Sequence, residues 1–240
     1  MSLVFCIKLY IYIINMFIIA ICGGSGSGKT RFSKELKNMI NDNMNVDIIS
    51  TDNFYKDYDD YTSKQKNDFH NDNLDYDDPN LMDSDLLIKV LSNLKSGRNS
   101  KIPIYNFDIY KREKDNYNII SGNLDIIILE GIFTLSFDNL CDIYDISIFI
   151  DTPIDVCLGR RLVRNSEERN GPFGDFSIAR EFNYYKRFTM PFYKDNKDKM
   201  KEKATFIING TKDSYDIIYK LICNYFTIES KNTCSIESNI

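Results

Sequence analysis

"GGSGSGKT" (Gly23–Thr30) follows directly on the apolar run "FIIAIC" and leads straight into "RFSKELKNMI", whose apolar residues recur at helical spacing. The stretch fits G-x-x-x-x-G-K-[ST], with Gly23, Gly28, Lys29 and Thr30 on the fixed positions and Gly24, Ser25, Gly26 and Ser27 between them. Glycines let the backbone turn tightly and aim successive N–H groups at phosphate oxygens, and the helix that follows adds its positive N-terminal end. Lys29 is expected to reach the β- and γ-phosphates. Thr30 is expected to offer its hydroxyl to Mg²⁺, a hard cation that takes oxygen ligands and keeps several waters. The plain alternative is a glycine-rich turn between strand and helix; the strand before, the helix after and the Lys-Thr pair weigh against it.

Working outward, 240 residues with 43% hydrophobic content describe one globular domain able to bury a sizeable core. A net charge of −5 without a large basic field argues against a nucleic-acid partner, because polyanion binding relies on clustered Lys and Arg. The six cysteines show no C-x-x-C spacing, so neither a zinc site nor a disulfide framework is expected, and reduced thiols in the cytoplasm are the default. The single histidine, His70 in "DFHNDN", reads as a solvated loop residue, which leaves a carboxylate as the general base of any proton transfer. The segment "LVFCIKLYIYIINMFIIAIC" is apolar enough to suggest an anchor or signal peptide. Lys8 and Asn15 interrupt it, no small-residue cleavage site follows, and its last six residues are needed as the strand feeding the phosphate loop. Residues 1–15 are therefore read as an apolar extension, or as the stretch ahead of a start at Met16, and no membrane partner is expected.

Apolar runs and helical patterns alternate beyond the loop, as βαβ units of a mainly parallel sheet do. The strands are "FIIAIC", "VDIIS", "LDIIILE", "DISIFID" and "TFIIN". "DSDLLIKVLSNLKSG" puts Leu87, Val90, Leu91 and Leu94 on one helix face with a stop at Gly97. Further helices are expected from "PIDVCLGRRLVR", from a long amphipathic stretch between about Phe176 and Met200, and from "SYDIIYKLICNYF", with residues 227–240 a polar tail. "KIPIYNFDIYKREKDNYNII" reads instead as short strands with polar turns, inserted over the carboxyl edge of the sheet, where α/β sheets bind ligands.

That edge collects the acidic residues. Asp52 ends the second strand in "VDIISTDNFY", facing the expected γ-phosphate, where a carboxylate accepts a proton from an attacking hydroxyl, holds Mg²⁺ through water, or merely caps the next helix. Tyr55, one turn on, is placed to orient it. Glu130 ends the apolar strand "DIIILEG", the position of a Walker-B carboxylate, and so joins Thr30 as a metal candidate; helix capping is the alternative there too. "GRRLVRNSEER" gathers Arg160, Arg161, Arg164 and Arg169 after the fourth strand. Such runs are usually solvated faces, but here a closing lid brings guanidinium groups onto a transferring phosphoryl, an effect worth about 10³ to 10⁵ in rate.

With these residues in view, the chain resembles the uridine (uridine–cytidine) kinases, relatives of phosphoribulokinase. The resemblance covers about residues 17–226 and rests on "GGSGSGKT", "STDNFY", "YDDPNLMD", "IPIYNF", "IIILEGI", "FIDTPIDVCLGRRLVRN" and "ER" in one order and spacing. It implies an α/β, P-loop NTPase-type three-layer fold: a mainly parallel sheet with helices on both faces, a small β insertion and an Arg-rich lid. It also implies ATP and Mg²⁺ dependence, a nucleoside substrate and a homo-oligomer. Asp52 is then the general base supported by Tyr55, and Asp77 binds the ribose 2′- and 3′-hydroxyls. Tyr105 contacts the nucleoside, Arg161, Arg164 and Arg169 are lid arginines, and Asp213 lies near the adenine. Departures are Tyr110 where the family has a histidine in the base pocket, Tyr184 where it has a glutamine, and Gly171 where it has an arginine.

Two other readings compete. A kinase of a phosphorylated sugar needs a further basic pocket for the substrate's own phosphate, and no cluster outside the lid supplies it. A guanine-nucleotide switch needs N/T-K-x-D, and in "NGTKDSYD" Asp213 falls out of register.

Overall fold

In the computed structural model of the chain, the described residues are 16–40, 44–71, 73–107, 109–169 and 177–212. Five parallel strands form the central sheet: β1 (Phe17–Cys22), β2 (Val46–Ser50), β5 (Ile126–Gly131), β6 (Ile146–Asp151) and β7 (Phe206–Asn209), in the order β2-β5-β1-β6-β7. β1 lies between β5 and β6, with Ile19 beside both Ile128 and Ile146, so all six of its residues are buried. A strand covered on both faces reads as a continuous apolar run rather than an alternating one.

The pleat assigns each β1 residue to a layer. Phe17, Ile19 and Ile21 pack with Phe32, Leu36 and Ile40 of helix α1 (Lys29–Ile40) on one face. Ile18 faces the other side, in the cluster holding Leu87, Val90, Leu91 and Leu94 of a second helix (Ser84–Lys95). Each fully buried side chain of this kind contributes roughly 1.5–3 kcal/mol relative to leaving it exposed. The three-layer architecture expected from the alternation of strands and helices is thus present, and the helix 84–95 buries the four residues anticipated for it before Gly97 turns at φ 76°.

The insertion is an antiparallel hairpin, β3 (Ser100–Asn106) and β4 (Lys111–Ile120), whose register shifts between Pro103 and Tyr105. Among the described residues, two α-helices escaped the sequence reading: the single-turn Asp138–Cys141, and α2 (Ser63–His70), opened by a capping box in which the Thr62 side chain accepts from the Gln65 N–H while Gln65 reaches back to Thr62. With α2 in place the helix 84–95 is α3. His70 is therefore a helix-terminal residue, its Nε2 lying 2.6 Å from the Tyr58 hydroxyl, and not the loop residue expected.

Beyond β5 come the short α4 (Asp138–Cys141) and then α5 (Ile154–Arg169) after β6. The long helical stretch expected between Phe176 and Met200 is present over 178–202, as α6 (Ile178–Tyr184) and α7 (Met190–Glu202) continued through a widened π turn, Tyr185–Thr189. Pro191 explains the interruption: it has no N–H for the carbonyl one turn back, and its ring crowds that carbonyl, so the preceding turn opens. The expected helix "SYDIIYKLICNYF", the tail 227–240 and residues 1–15 lie outside the described residues. Among those described, no helix is long and apolar enough to cross a membrane.

Candidate functional site

The phosphate loop spans the gap between β1 and α1, and neighbouring elements fix its shape. Gly26 has φ 83°, and a Cβ there would stand 2.3 Å from the Cys157 carbonyl oxygen, so only glycine fits this turn. The Thr152 hydroxyl donates to the Ser27 carbonyl at 2.8 Å, and an Arg160 guanidinium N–H donates to the Gly210 carbonyl at 3.0 Å and to the Ser27 carbonyl at 3.4 Å. Arg160 is thereby committed to the loop's backbone. Lys29 bridges the loop, its Nζ donating to the Gly24 carbonyl at 3.1 Å. Ser27 Oγ is buried and has no hydrogen-bond partner among the described residues.

Glu130, at the end of β5, accepts from the Thr30 hydroxyl at 3.4 Å. The two oxygens suit a hard cation that also needs phosphate and water ligands. Among the described residues, no three His, Cys, Asp or Glu side chains converge on a metal by themselves.

Asp52 sits in a tight turn (Thr51–Phe54) directly after β2, where the capping role falls to the Ser50 hydroxyl, which accepts from the Asp52 N–H at 3.3 Å. The Asp52 carboxylate is left free of that duty. Burial raises its carboxyl to about 6, the Glu130 charge adds to the rise, and Lys29 and Arg164 oppose it. Asp52 keeps an exposed face toward the cleft, so water reaching it relaxes part of the burial effect. Arg164, which acts on Asp52, also donates to the Asn165 side-chain oxygen at 3.1 and 3.2 Å.

A second acidic centre lies across the cleft. Asp77 is 5% exposed, and its Oδ2 accepts from the Thr189 hydroxyl at 2.7 Å. Burial raises its carboxyl, while the Arg161 charge and the Thr189 hydrogen bond pull it down. Arg161 is held in turn by Glu181, whose carboxylate accepts from its Nε at 2.6 Å, and donates to the Thr189 oxygen at 3.2 Å. A small cavity of about 10 Å³ lies between Gly23–Ser25 on one side and Asp77, Thr189 and Phe192 on the other.

Tyrosines line the rest. The Tyr55 hydroxyl donates to the Tyr76 carbonyl at 2.8 Å, so it ties two loops together rather than orienting Asp52 as its position suggested. The Tyr184 hydroxyl accepts from the Tyr76 N–H at 2.8 Å, with the Arg161 guanidinium 5.5 Å from the Tyr184 ring. Tyr105 packs on Tyr55 at 5.5 Å, and Tyr110, at φ 54° in the turn of the hairpin, stacks on Tyr76 at 5.2 Å.

The structure thus gathers the loop residues Gly23–Thr30, Asp52, Glu130 and Arg164, with Asp77 facing Gly23–Ser25 across the small cavity and Arg161, Tyr55, Tyr105 and Tyr110 on the elements around it. The Arg169 side chain, Gly171 and Asp213 fall outside what is described. Thr189 and Glu181 were missed; both lie in the long helical stretch, where the Pro191 signal was the one available cue.

A parallel sheet with a phosphate loop after its central strand, carboxylates at the ends of two neighbouring strands and arginines on the helix after β6 defines a P-loop protein of the kinase type. The chain belongs to the phosphoribulokinase/uridine kinase family, whose profile matches residues 18–215. A uridine kinase from Haemophilus influenzae is 34% identical over 200 residues, which cover 81% of this chain and 87% of that protein. A uridine kinase from Schizosaccharomyces pombe is 33% identical over 220 residues, and the uridine-cytidine kinase A of Dictyostelium discoideum is 33% identical over 217. These matches take in 92% and 90% of this chain but span only 45% and 40% of the two proteins. The D-glycerate 3-kinase of Cryptococcus neoformans shares the fold with a TM-score of 0.57 at 16% identity, covering 79% of this chain and 85% of that one. Phosphoribulokinase from Rhodobacter spheroides does so with a TM-score of 0.50 at 12% identity, covering 75% and 67%.

Proposed function

We propose that the protein transfers the γ-phosphoryl of ATP to the 5′-hydroxyl of uridine or cytidine, giving the nucleoside 5′-monophosphate for pyrimidine salvage. The observation that carries the reading is the pairing of two acidic centres across one cleft. Asp52 is open beside the phosphate loop, and Asp77 is buried among tyrosines on the nucleoside side. The names of the relatives supply the choice of nucleoside.

Asp52 takes the proton of the 5′-hydroxyl as that oxygen bonds to phosphorus and the bond to the β-phosphate oxygen breaks, releasing ADP. Lys29 and Arg164, the cations that act on Asp52, stabilise the negative charge of the transferring group. Thr30 and Glu130 would hold Mg²⁺, which when bound neutralises charge on the β- and γ-phosphates. Asp77 accepts hydrogen bonds from the vicinal ribose hydroxyls, Arg161 opposes the upward pull of burial on its carboxyl, and Tyr76 and Tyr110 offer ring faces to a single-ring base. Asp213, beyond the described residues, is proposed to lie at the adenine, Arg169 to reach the phosphates when the lid closes, and the molecule to work in the cytoplasm.

The test is a panel of nucleosides with ATP and Mg²⁺, read as phosphorylated product. Uridine and cytidine are expected to react, and adenosine much more slowly. No product with any nucleoside, or adenosine as the best substrate, would overturn the reading.

A further inference from the structure

Glu181 is a buried carboxylate that the proposed chemistry leaves without a task. It stands on α6 with its side chain 9% exposed, and it accepts from Nε of Arg161 on α5, itself 13% exposed, at 2.6 Å. A second nitrogen of the same guanidinium, Nη1, donates to the Thr189 oxygen at 3.2 Å, and the Thr189 hydroxyl donates to Oδ2 of Asp77 at 2.7 Å. Tyr184, one turn after Glu181 on α6, gives a further hydrogen bond to the Asp77 carboxyl. The Tyr184 and Tyr185 rings flank the guanidinium at 5.5 and 5.9 Å. Three hydrogen bonds thus run in one line from α6, through α5 and the π turn, to the carboxyl that faces the phosphate loop across the cavity.

The line has a direction. A guanidinium only donates, so the Thr189 oxygen accepts from Arg161 and its own proton goes to Asp77. Nε is the anchored end of the line. A planar fork held at one nitrogen alone pivots about that bond, whereas a fork held at both Nε and Nη1 has its plane and its reach fixed. A buried ion pair need add little net stability, because taking two charges out of water offsets their attraction. What Glu181 supplies is placement: it decides where Nη1 meets Thr189, and through Thr189 where the Asp77 carboxyl stands.

We propose that Glu181 is a positioning residue of the nucleoside site: by anchoring Nε of Arg161 it aims Nη1 at Thr189, which holds the Asp77 carboxyl in the pose that receives the ribose hydroxyls. This rests on the reading of Asp77 as the ribose site given above. Glu181 itself touches no substrate. Its effect therefore falls on the sugar and leaves the phosphate loop alone.

Two substitutions separate placement from charge. Glu181→Gln removes the charge and keeps an acceptor oxygen for Nε, and Glu181→Leu removes the acceptor. Steady-state kinetics with uridine and 2′-deoxyuridine are read together with the KM for ATP. Glu181→Leu is expected to raise the KM for uridine about tenfold and that for 2′-deoxyuridine by no more than about threefold, with kcat and the KM for ATP within about twofold. Glu181→Gln should hold the KM for uridine within about threefold of the wild type. Should Glu181→Leu fail to fold, Glu181→Asp takes its place: one methylene shorter, it draws Nε back and should cause the same selective rise. An unchanged KM for uridine in Glu181→Leu, or in Glu181→Asp as its substitute, overturns the proposal. So does an equal rise for both sugars, or a joint rise in the KM for ATP, the mark of general loosening. Glu181→Gln as impaired as Glu181→Leu also overturns it, because the charge and not the placement of Arg161 would then be the working part. A wild type with equal kcat/KM for the two sugars overturns the parent reading of Asp77, and this proposal with it, before any variant is made.

Discussion

Thr189 donates its hydroxyl to Asp77 at 2.7 Å across 112 positions of sequence, and the same oxygen accepts from Arg161 at 3.2 Å. A single side chain thus links the buried carboxyl group to the cation that opposes the upward pull of burial on it. The π turn ending at Thr189 makes this reach possible, since a regular helix would carry the hydroxyl to a different bearing.

Replacing Thr189 by Val keeps the shape and removes the bond. The Asp77 carboxyl, already raised by burial, should rise further, because the hydrogen bond that lowers it is lost. A hydrogen bond to a charged group contributes about 1.5–3 kcal/mol. The expected outcome is a KM for nucleoside raised about tenfold, with the KM for ATP unchanged. Isothermal titration with nucleoside and with an ATP analogue distinguishes this local effect from general loosening, which would weaken both.

Acidification should act through Asp52. A base works only when ionised, and its carboxyl stands at about 6 in the free protein, so kcat/KM should fall about tenfold per pH unit below that value. A divalent cation bound beside it favours the carboxylate and moves the limb of the kcat profile to lower pH. Asp52→Asn should reduce kcat by about 10² to 10⁴ and abolish the acid limb, while ATP binding stays within a few fold. A variant with an unaltered pH profile would remove Asp52 from the proton transfer.

The parts of this arrangement differ in how openly the sequence shows them. β1 is apolar without interruption, and β5 nearly so until Glu130, because both faces of a central parallel strand are covered, and "GGSGSGKT" carries its conformation in its glycines. The ends of β2 and β5 placed Asp52 and Glu130 on one edge, since strand order in such sheets brings their carboxyl ends together. What stayed hidden depends on packing between distant segments. Nothing local to Tyr55 says that its hydroxyl goes to the Tyr76 carbonyl instead of to Asp52, and nothing near Glu181 announces Arg161. α2 was hidden for another reason: its stretch "SKQKNDFH" buries none of its residues, so it lacks the apolar period that marks a helix.

Gly26→Ala tests the loop's geometry apart from its chemistry. The added methyl meets the Cys157 carbonyl oxygen at 2.3 Å, at a φ of 83° that L side chains rarely adopt. Backbone strain of this kind costs about 1–3 kcal/mol, before the contact itself. The loop should shift away from α5, lowering affinity for ATP at least tenfold and the melting temperature by several degrees. Normal ATP affinity in a stable variant would show that the turn does not hold the nucleotide in this shape.

The sugar gives the sharpest separation. Asp77 is buried and already takes hydrogen bonds from the Thr189 and Tyr184 side chains; the acceptor sites left on its carboxylate are the ones the proposed ribose would use. A ribonucleoside that donates its 2′- and 3′-hydroxyls there satisfies the carboxylate. A 2′-deoxyribonucleoside leaves part of it unpaired in a place water reaches poorly, and rejection by such sites extends to about 10⁴-fold in kcat/KM. 2′-Deoxyuridine is therefore expected to be a poor substrate. Asp77→Asn should narrow the gap between uridine and deoxyuridine, since it lowers kcat/KM for uridine far more than for the analogue that never made the bond. Equal kcat/KM for the two sugars on the wild type would take Asp77 out of ribose recognition and leave its burial to be explained by Arg161, Thr189 and Tyr184.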